Sequence, residues 1–282
     1  MLSRRDFHRL AVAGLSASIA FAKPNSKIGG VQLGAQSYSF RDRPLDEAIK
    51  GMVDVGLSEC ELWQGHLEPQ NVAREDLRKW RTTTPLDFFK GVKKKFDDAG
   101  VLLYAYNYSF RDDFTDEEMA RGFEMASALG VSRMTASSTV PLAKRIDSYA
   151  SKAKIVVGMH GHDNMKAGEF NTAQSFLDAM AGNSKYIGVN LDIGHFVAAN
   201  GDSIEFIKQH HDRIVTLHIK DRKKNHGPGT PFGEGDAPIK EVLQLVKTSH
   251  YPIPCNIEYE YPGKDTLEEV KKCYAYCKSA LA

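Results

Sequence analysis

Residues 186–219, YIGVNLDIGHFVAANGDSIEFIKQHHDRIVTLHI, hold one complete structural unit. A β-rich run over 186–192 leads to an Asp202–Glu205 capping pair that opens an amphipathic stretch. A second β-rich run then fills 213–219. Outward from this unit the same alternation recurs, with further strand-like runs at 31–38, 58–63, 101–107, 131–136, 154–160 and 254–260. Pro44 opens a helical run with Leu45, Ile49, Met52 and Val53 on one face, closed by Gly56. Thr84-Pro85 starts another, with Phe89, Val92 and Phe96 inward and Gly100 at its end, while Thr115–Glu118 and Asp265–Glu268 repeat the capping pair. Alternating strand and helix signals imply a parallel sheet. Eight units over roughly 260 residues predict an α/β protein with a (β/α)8 TIM barrel, a single domain spanning 23–282. An open dinucleotide-binding sheet is disfavoured, because Gln36-Ser37-Tyr38-Ser39-Phe40-Arg41 stands where a Gly-rich phosphate turn would follow the first strand.

The first 22 residues have a different character. Ser3-Arg4-Arg5-Asp6-Phe7-His8-Arg9 precedes an uncharged stretch from Leu10 to Ala22 that ends Ala20-Phe21-Ala22. A basic segment, a short apolar segment and a small-x-small end form a secretory signal, and the paired arginines resemble a bacterial twin-arginine signal. The expected location is therefore the periplasm or the medium. The apolar run falls short of the about 20 residues a spanning helix needs, so stable membrane insertion is not expected. A net charge of +1 with dispersed Lys and Arg gives no footprint for nucleic acid. Cys60, Cys255, Cys273 and Cys277 lie in strand-like or helix-stripe positions and read as buried free thiols.

Active sites of this fold lie where the strands end. Four consecutive ends carry metal-type ligands: His160-Gly161-His162-Asp163, Asp192-Ile193-Gly194-His195, His218-Ile219-Lys220-Asp221, and Glu258-Tyr259-Glu260. Each residue alone has a duller explanation as a cap, an ion pair or a hydrogen-bonded histidine. Imidazole and carboxylate converging from neighbouring strands suit a divalent ion of borderline hardness. The expected cofactor is one such ion, Mn2+ foremost, with Zn2+, Co2+ and Mg2+ as the others this donor set takes.

These pieces, with Leu33–Asp42, Glu59–Trp63 and the Pro231–Asp236 loop, resemble the sugar phosphate isomerase/epimerase family of xylose isomerase-like barrels, relatives of the endonuclease IV fold. The resemblance runs through nearly all of residues 28–282 and implies a metal bound by a fifth-strand residue, Asp192, His218 and Glu258. His195 would lie near the substrate. The family's sugar epimerases use a Glu on the fifth strand. Here His160 takes that position, with His162 two residues on as the other candidate. The substitution removes one of two carboxylates and tilts the chemistry from epimerisation toward elimination, as in keto-inositol dehydratases that share the His-x-His-Asp pattern.

The expected reaction is proton abstraction next to the carbonyl of a sugar or keto-sugar by a divalent-metal-dependent isomerase or epimerase, with a dehydratase or lyase on the same site as the alternative. Glu258, His160 or His162 would be the base, and Lys220, Arg222 and Glu61 would hold hydroxyls or assist a leaving group. Glu61 and Lys220 would otherwise pair across the barrel mouth. Gln36, Asn107 and His195 complete the expected substrate contacts, with Tyr38, Trp63 and Tyr106 as aromatic walls. The Gly-rich loop 227–235 is either an anion site or a plain loop. A repair nuclease is disfavoured because the third strand ends Tyr106-Asn107-Tyr108 without a ligand, and a non-catalytic sugar-binding barrel because Asp192, His218 and Glu258 are retained. A homodimer stays open.

The export expectation is testable. Changing Arg4→Lys and Arg5→Lys together should trap the unprocessed protein in the cytoplasm of a twin-arginine-competent bacterium, as read by fractionation. Unchanged export of the double variant would refute that route.

Overall fold

A computed structural model describes residues 23–164, 166 and 168–282. The export signal lies outside the described residues. Eight parallel strands follow one another around a closed sheet: β1 (Val31–Gln36), β2 (Glu59–Trp63), β3 (Leu102–Asn107), β4 (Arg133–Ser137), β5 (Val156–His160), β6 (Ile187–Asp192), β7 (Ile214–Ile219) and β8 (Cys255–Ile257). Leu33, Gly34 and Ala35 of β1 pair with Cys255, Asn256 and Ile257 of β8, which closes the barrel. A two-residue strand, Lys27–Ile28, folds back antiparallel on Val31 and Gln32 through Gly29 and Gly30, both at positive φ.

Helices α1 (Leu45–Val55) and α3 (Leu86–Ala99) start after Pro44 and Pro85 and stop at Gly56 and Gly100, whose left-handed backbone ends each helix. Thr115 and Glu118 form a full capping box on α4 (Asp116–Ala128). Asp202 and Asp265 cap α8 (Ser203–His210) and α10 (Thr266–Leu281) from one side only, accepting the N–H groups of Glu205 and Glu268. Helices α5 (Ala143–Ala153), α6 (Ala173–Ala181), α7 (Ile193–Ala198) and α9 (Ile239–Thr248) complete the ring. No helix among the described residues is long and apolar enough to cross a membrane. All four cysteines are buried and free.

Two strands stop earlier than the sequence predicts. Gln36 Oε1 accepts the N–H of Tyr38 and turns the chain into a 3-10 segment, Ser37–Phe40. At β8, Ser39 Oγ donates to the carbonyl of Ile257 and accepts the N–H of Tyr259, so the ladder ends with the Glu258 N–H on the Ile219 carbonyl and residues 259–260 turn toward the mouth. The barrel interior is strongly polar: Glu59, Glu61, Thr135, Asn190, Thr216 and Asn256 are all buried. Burial and the neighbouring Glu61 push the Glu59 carboxyl up to about 8.

One helix has no counterpart in the sequence reading. α2 (Arg74–Thr83) is mostly polar, and its buried residue is Arg81. It docks through charge: Arg74, Arg78 and Arg81 converge on the buried Glu118, and Arg81 also clasps Glu68 with two hydrogen bonds of 2.7 and 2.9 Å. Burial opposes ionisation of Glu118, but the hydrogen bond from Arg74 and its neighbours win and lower its pKa from 4.5 to about 2. Its contribution is therefore complete above about pH 4.5 and is lost as the pH falls toward 2. Glu118→Gln should lower stability by about 1.5–3 kcal/mol at neutral pH and flatten that acid limb in urea titrations run across pH. An unchanged acid limb would remove Glu118 from the account.

Candidate metal centre

Side chains alternate across a strand, so residues two apart share a face. Asn190, Thr216 and Asn256 point into the barrel, and that parity carries Asp192, His218 and Glu258 to its upper rim beside His160. One ligand atom from each of His160, Asp192, His218 and Glu258 lies within 4.8 Å of every other, and all four residues are buried. His160 Nε2 stands 3.2 Å from His218 Nδ1, 3.5 Å from Asp192 Oδ2 and 3.9 Å from Glu258 Oε2. Glu258 Oε2 is 3.1 Å from His218 Nδ1.

The cluster fits a divalent ion by its own chemistry. Asp192 Oδ1 accepts the His195 N–H and caps α7, whereas Oδ2 is buried beside the Lys220 ammonium and the other three residues of the cluster. Lys220 Nζ ion-pairs with that oxygen at 2.9 Å and with Glu258 and Glu260 at 2.7 and 2.6 Å, so one ammonium is shared among three carboxylates. Buried carboxylates that share a single ammonium, with two imidazoles beside them, form a donor set that a dication would complete. Burial works against ionisation of Asp192, yet Lys220 and His195 hold its pKa well below the usual carboxylate range. Glu258 is drawn down to about 2 against burial by Lys220 and His218. His218 moves the other way: burial disfavours its protonation, but Glu61 and Glu258 outweigh it and raise its pKa well above that of free imidazole.

Beneath the cluster, Glu61 Oε2 meets His218 Nε2 at 2.9 Å, leaving Nδ1 to face the other ligands. The other Glu61 oxygen accepts hydrogen bonds from Gln36 Nε2 at 2.8 Å and Thr135 Oγ1 at 2.6 Å. This corrects two expectations. Gln36 and Glu61 are 2% and 0% exposed and are spent on protein partners, so they position a ligand instead of touching substrate. The Glu61–Lys220 pair does not form, because Lys220 turns to Glu260, Glu258 and Asp192.

Above the cluster, the His162 ring stands edge-on to His160 with centroids 4.6 Å apart. Burial and the adjacent His160 and His195 lower its pKa to about 3, which keeps it neutral. His195 Nδ1 meets Asp163 Oδ1 and Arg222 Nη1, both at 2.8 Å, and its Nε2 faces Asp192 and Glu260 at 3.9 and 3.7 Å. Tyr38 and Trp63 form a T-shaped, partly exposed pair at the rim. Asn107 is tied to Thr135. Tyr106 is fully buried and stacks on Tyr108, so it packs and does not wall a ligand.

The Gly-rich loop is not an anion cradle, because the protein supplies its own anion. Asp221 accepts the backbone N–H groups of Gly233, Gly235 and Ala237 at 2.7, 3.0 and 3.1 Å. Sequence reasoning missed this strap, and it missed Glu260 and Asp163 as neighbours of Lys220 and His195. The His-x-His-Asp and Glu-x-Glu spacings were the available signals.

Because Glu61 orients His218 without being a ligand, Glu61→Gln should weaken binding of Mn2+ or Zn2+ by about 10–100-fold in a chelator-competition titration. An unchanged affinity would show that Glu61 has no hold on the centre.

The family model for a xylose isomerase-like TIM barrel matches residues 56–277. No curated protein matches the sequence. Among solved structures, a sugar phosphate isomerase/epimerase from Parabacteroides distasonis shares 20% identity, with 92% of this chain and 97% of that one covered at a TM-score of 0.64. An E. coli 3-keto-D-glucoside 4-epimerase in its apo form shares 13%, covering 88% and 99% at 0.67. The IolI protein, solved with a bound zinc atom, shares 16%, covering 89% and 98% at 0.67. Such identities speak for a common barrel. With most of its length matched by the family model and its eight strands closed in order, the chain belongs to the xylose isomerase-like TIM barrel family.

Proposed function

We propose that this protein is a divalent-metal-dependent sugar or keto-sugar isomerase or epimerase that abstracts a proton next to a carbonyl. The observation that carries this reading is the convergence of His160, Asp192, His218 and Glu258, all buried, with one ligand atom of each within 4.8 Å of the others. The ion these residues would hold, Mn2+ foremost, supplies Lewis-acid polarisation of a substrate oxygen, an effect of several kcal/mol.

The chain's own groups do the rest. Glu258 is ionised and stands at the rim where β8 ends, so it is the first candidate for the base. His162 stands beside His160, on the side of the loops that follow β3, β4 and β5. Lys220 faces a second recess, lined also by Arg222, Glu260 and Tyr261, on the β7–β8 side. Proton removal and proton return thus have separate groups on separate sides of the cluster. Lys220, charged and anchored by Glu260, is suited to hold a substrate hydroxyl or protonate a departing one. The Arg222–Asp163–His195 network would orient the sugar and exclude water at the rim.

A second reading, elimination by a dehydratase or lyase, is favoured by His160 in place of a second carboxylate and by an ammonium within reach of a leaving group. Export through the twin-arginine route accords with both readings, since that route carries proteins already folded around a metal.

Chelator treatment should abolish exchange of a keto-sugar's α-proton into deuterated water, and Glu258→Gln should slow it by about 100-fold or more, both read by NMR. Exchange with retention of all hydroxyls supports isomerisation or epimerisation, and loss of water supports elimination. Exchange that survives both treatments would sink the proposal.

A further inference from the structure

A cavity of about 640 Å3 opens beside the metal centre, between the loops that follow β3, β4 and β5. It joins the centre through two residues. His162 lines it while standing edge-on to His160, and Ser137 lines it while its Oγ meets His160 Nδ1 at 3.3 Å. Pockets for whole drug-sized ligands fall at about 300–1,000 Å3. A single pyranose held at the metal needs little of this space, so the cavity must take another part of the substrate.

The wall chemistry narrows what that part is. Ser109, Ser137, Ser138 and Thr139 present hydroxyls and backbone, and Asn164 adds an amide. Polar side chains of this kind suit a ligand that brings donors and acceptors of its own. Charge points away from anions: Arg111 is the one basic residue among the lining residues, against Asp112, Asp113 and Glu169. Asp113 is already paired with Arg74 at 3.0 Å, and the remaining acids still outnumber Arg111. The N–H groups of the Gly-rich loop, the other feature suggestive of phosphate recognition, are consumed by Asp221.

We propose that this cavity is a subsite for a second, neutral sugar ring, so that the substrate is a glycoside and not a sugar phosphate. The proposal rests on the reading of the metal centre as a sugar-processing site and names the substrate class that the site takes.

The test uses the Mn2+-loaded protein and calorimetry with glucose, glucose 6-phosphate, maltose and cellobiose. One of the disaccharides should bind at least about tenfold more tightly than glucose, and glucose 6-phosphate should gain nothing over glucose. Ser109→Trp and Thr139→Trp, which fill the cavity from different loops, should each bring the disaccharide-to-glucose ratio to about one. Equal binding of all four sugars, a disaccharide advantage that survives both tryptophans, preferential binding of glucose 6-phosphate, or no sugar binding overturns the subsite. If a tryptophan variant fails to fold, the wild-type ratio still decides. The α-proton exchange assay reports separately on the metal centre, so a disaccharide advantage without exchange would fault the chemistry and leave the subsite standing.

Discussion

The contact on which the rest of the site depends is the 2.9 Å hydrogen bond between Glu61 and His218. It lies in the barrel interior, where both residues are almost fully buried and an unpaired charge would cost several kcal/mol. Gln36 and Thr135 occupy the other oxygen of Glu61, so three strands fix one carboxylate and a fourth receives it. His218 then has a single way to stand, with Nδ1 toward His160 and Glu258. A barrel filled with aliphatic layers would be simpler to pack, yet it could not orient an imidazole at its upper rim. The polar interior is thus the foundation of the cluster above it.

Much of the fold was legible because it rests on local rules. Pro44 and Pro85 before helices, Gly56 and Gly100 after them, and strand-like runs at regular intervals needed no knowledge of neighbours. The convergence of the four candidate ligands was legible for a related reason: parity along each strand puts Asp192, His218 and Glu258 on the same face as the buried residues two positions earlier. What escaped depends on contacts between distant segments. Gln36 and Glu61 have the residue types of substrate contacts, and only the closed barrel shows that Thr135 and His218 have already claimed them. Helix α2 lacks an apolar stripe, because its anchor is the arginine cluster on Glu118, more than thirty positions away.

Charge organises the mouth as well. Asp192, Glu258 and Glu260 surround Lys220, and Glu61 stands below them, so carboxylates outnumber the ammonium. Buried negative charge in such excess is costly on its own and becomes favourable when a dication joins it. The Asp221 strap shows the same economy on a neutral scale: one buried carboxylate organises a loop that would otherwise expose three unpaired amides.

Asp192 serves two masters, with one oxygen on the first turn of α7 and the other among the candidate ligand atoms. Asparagine would preserve the turn and forfeit the negative charge. Glutamate would preserve the charge and, one methylene longer, overshoot the turn. Neither substitution satisfies both demands, so aspartate at this one position couples the start of that helix to the charge of the cluster.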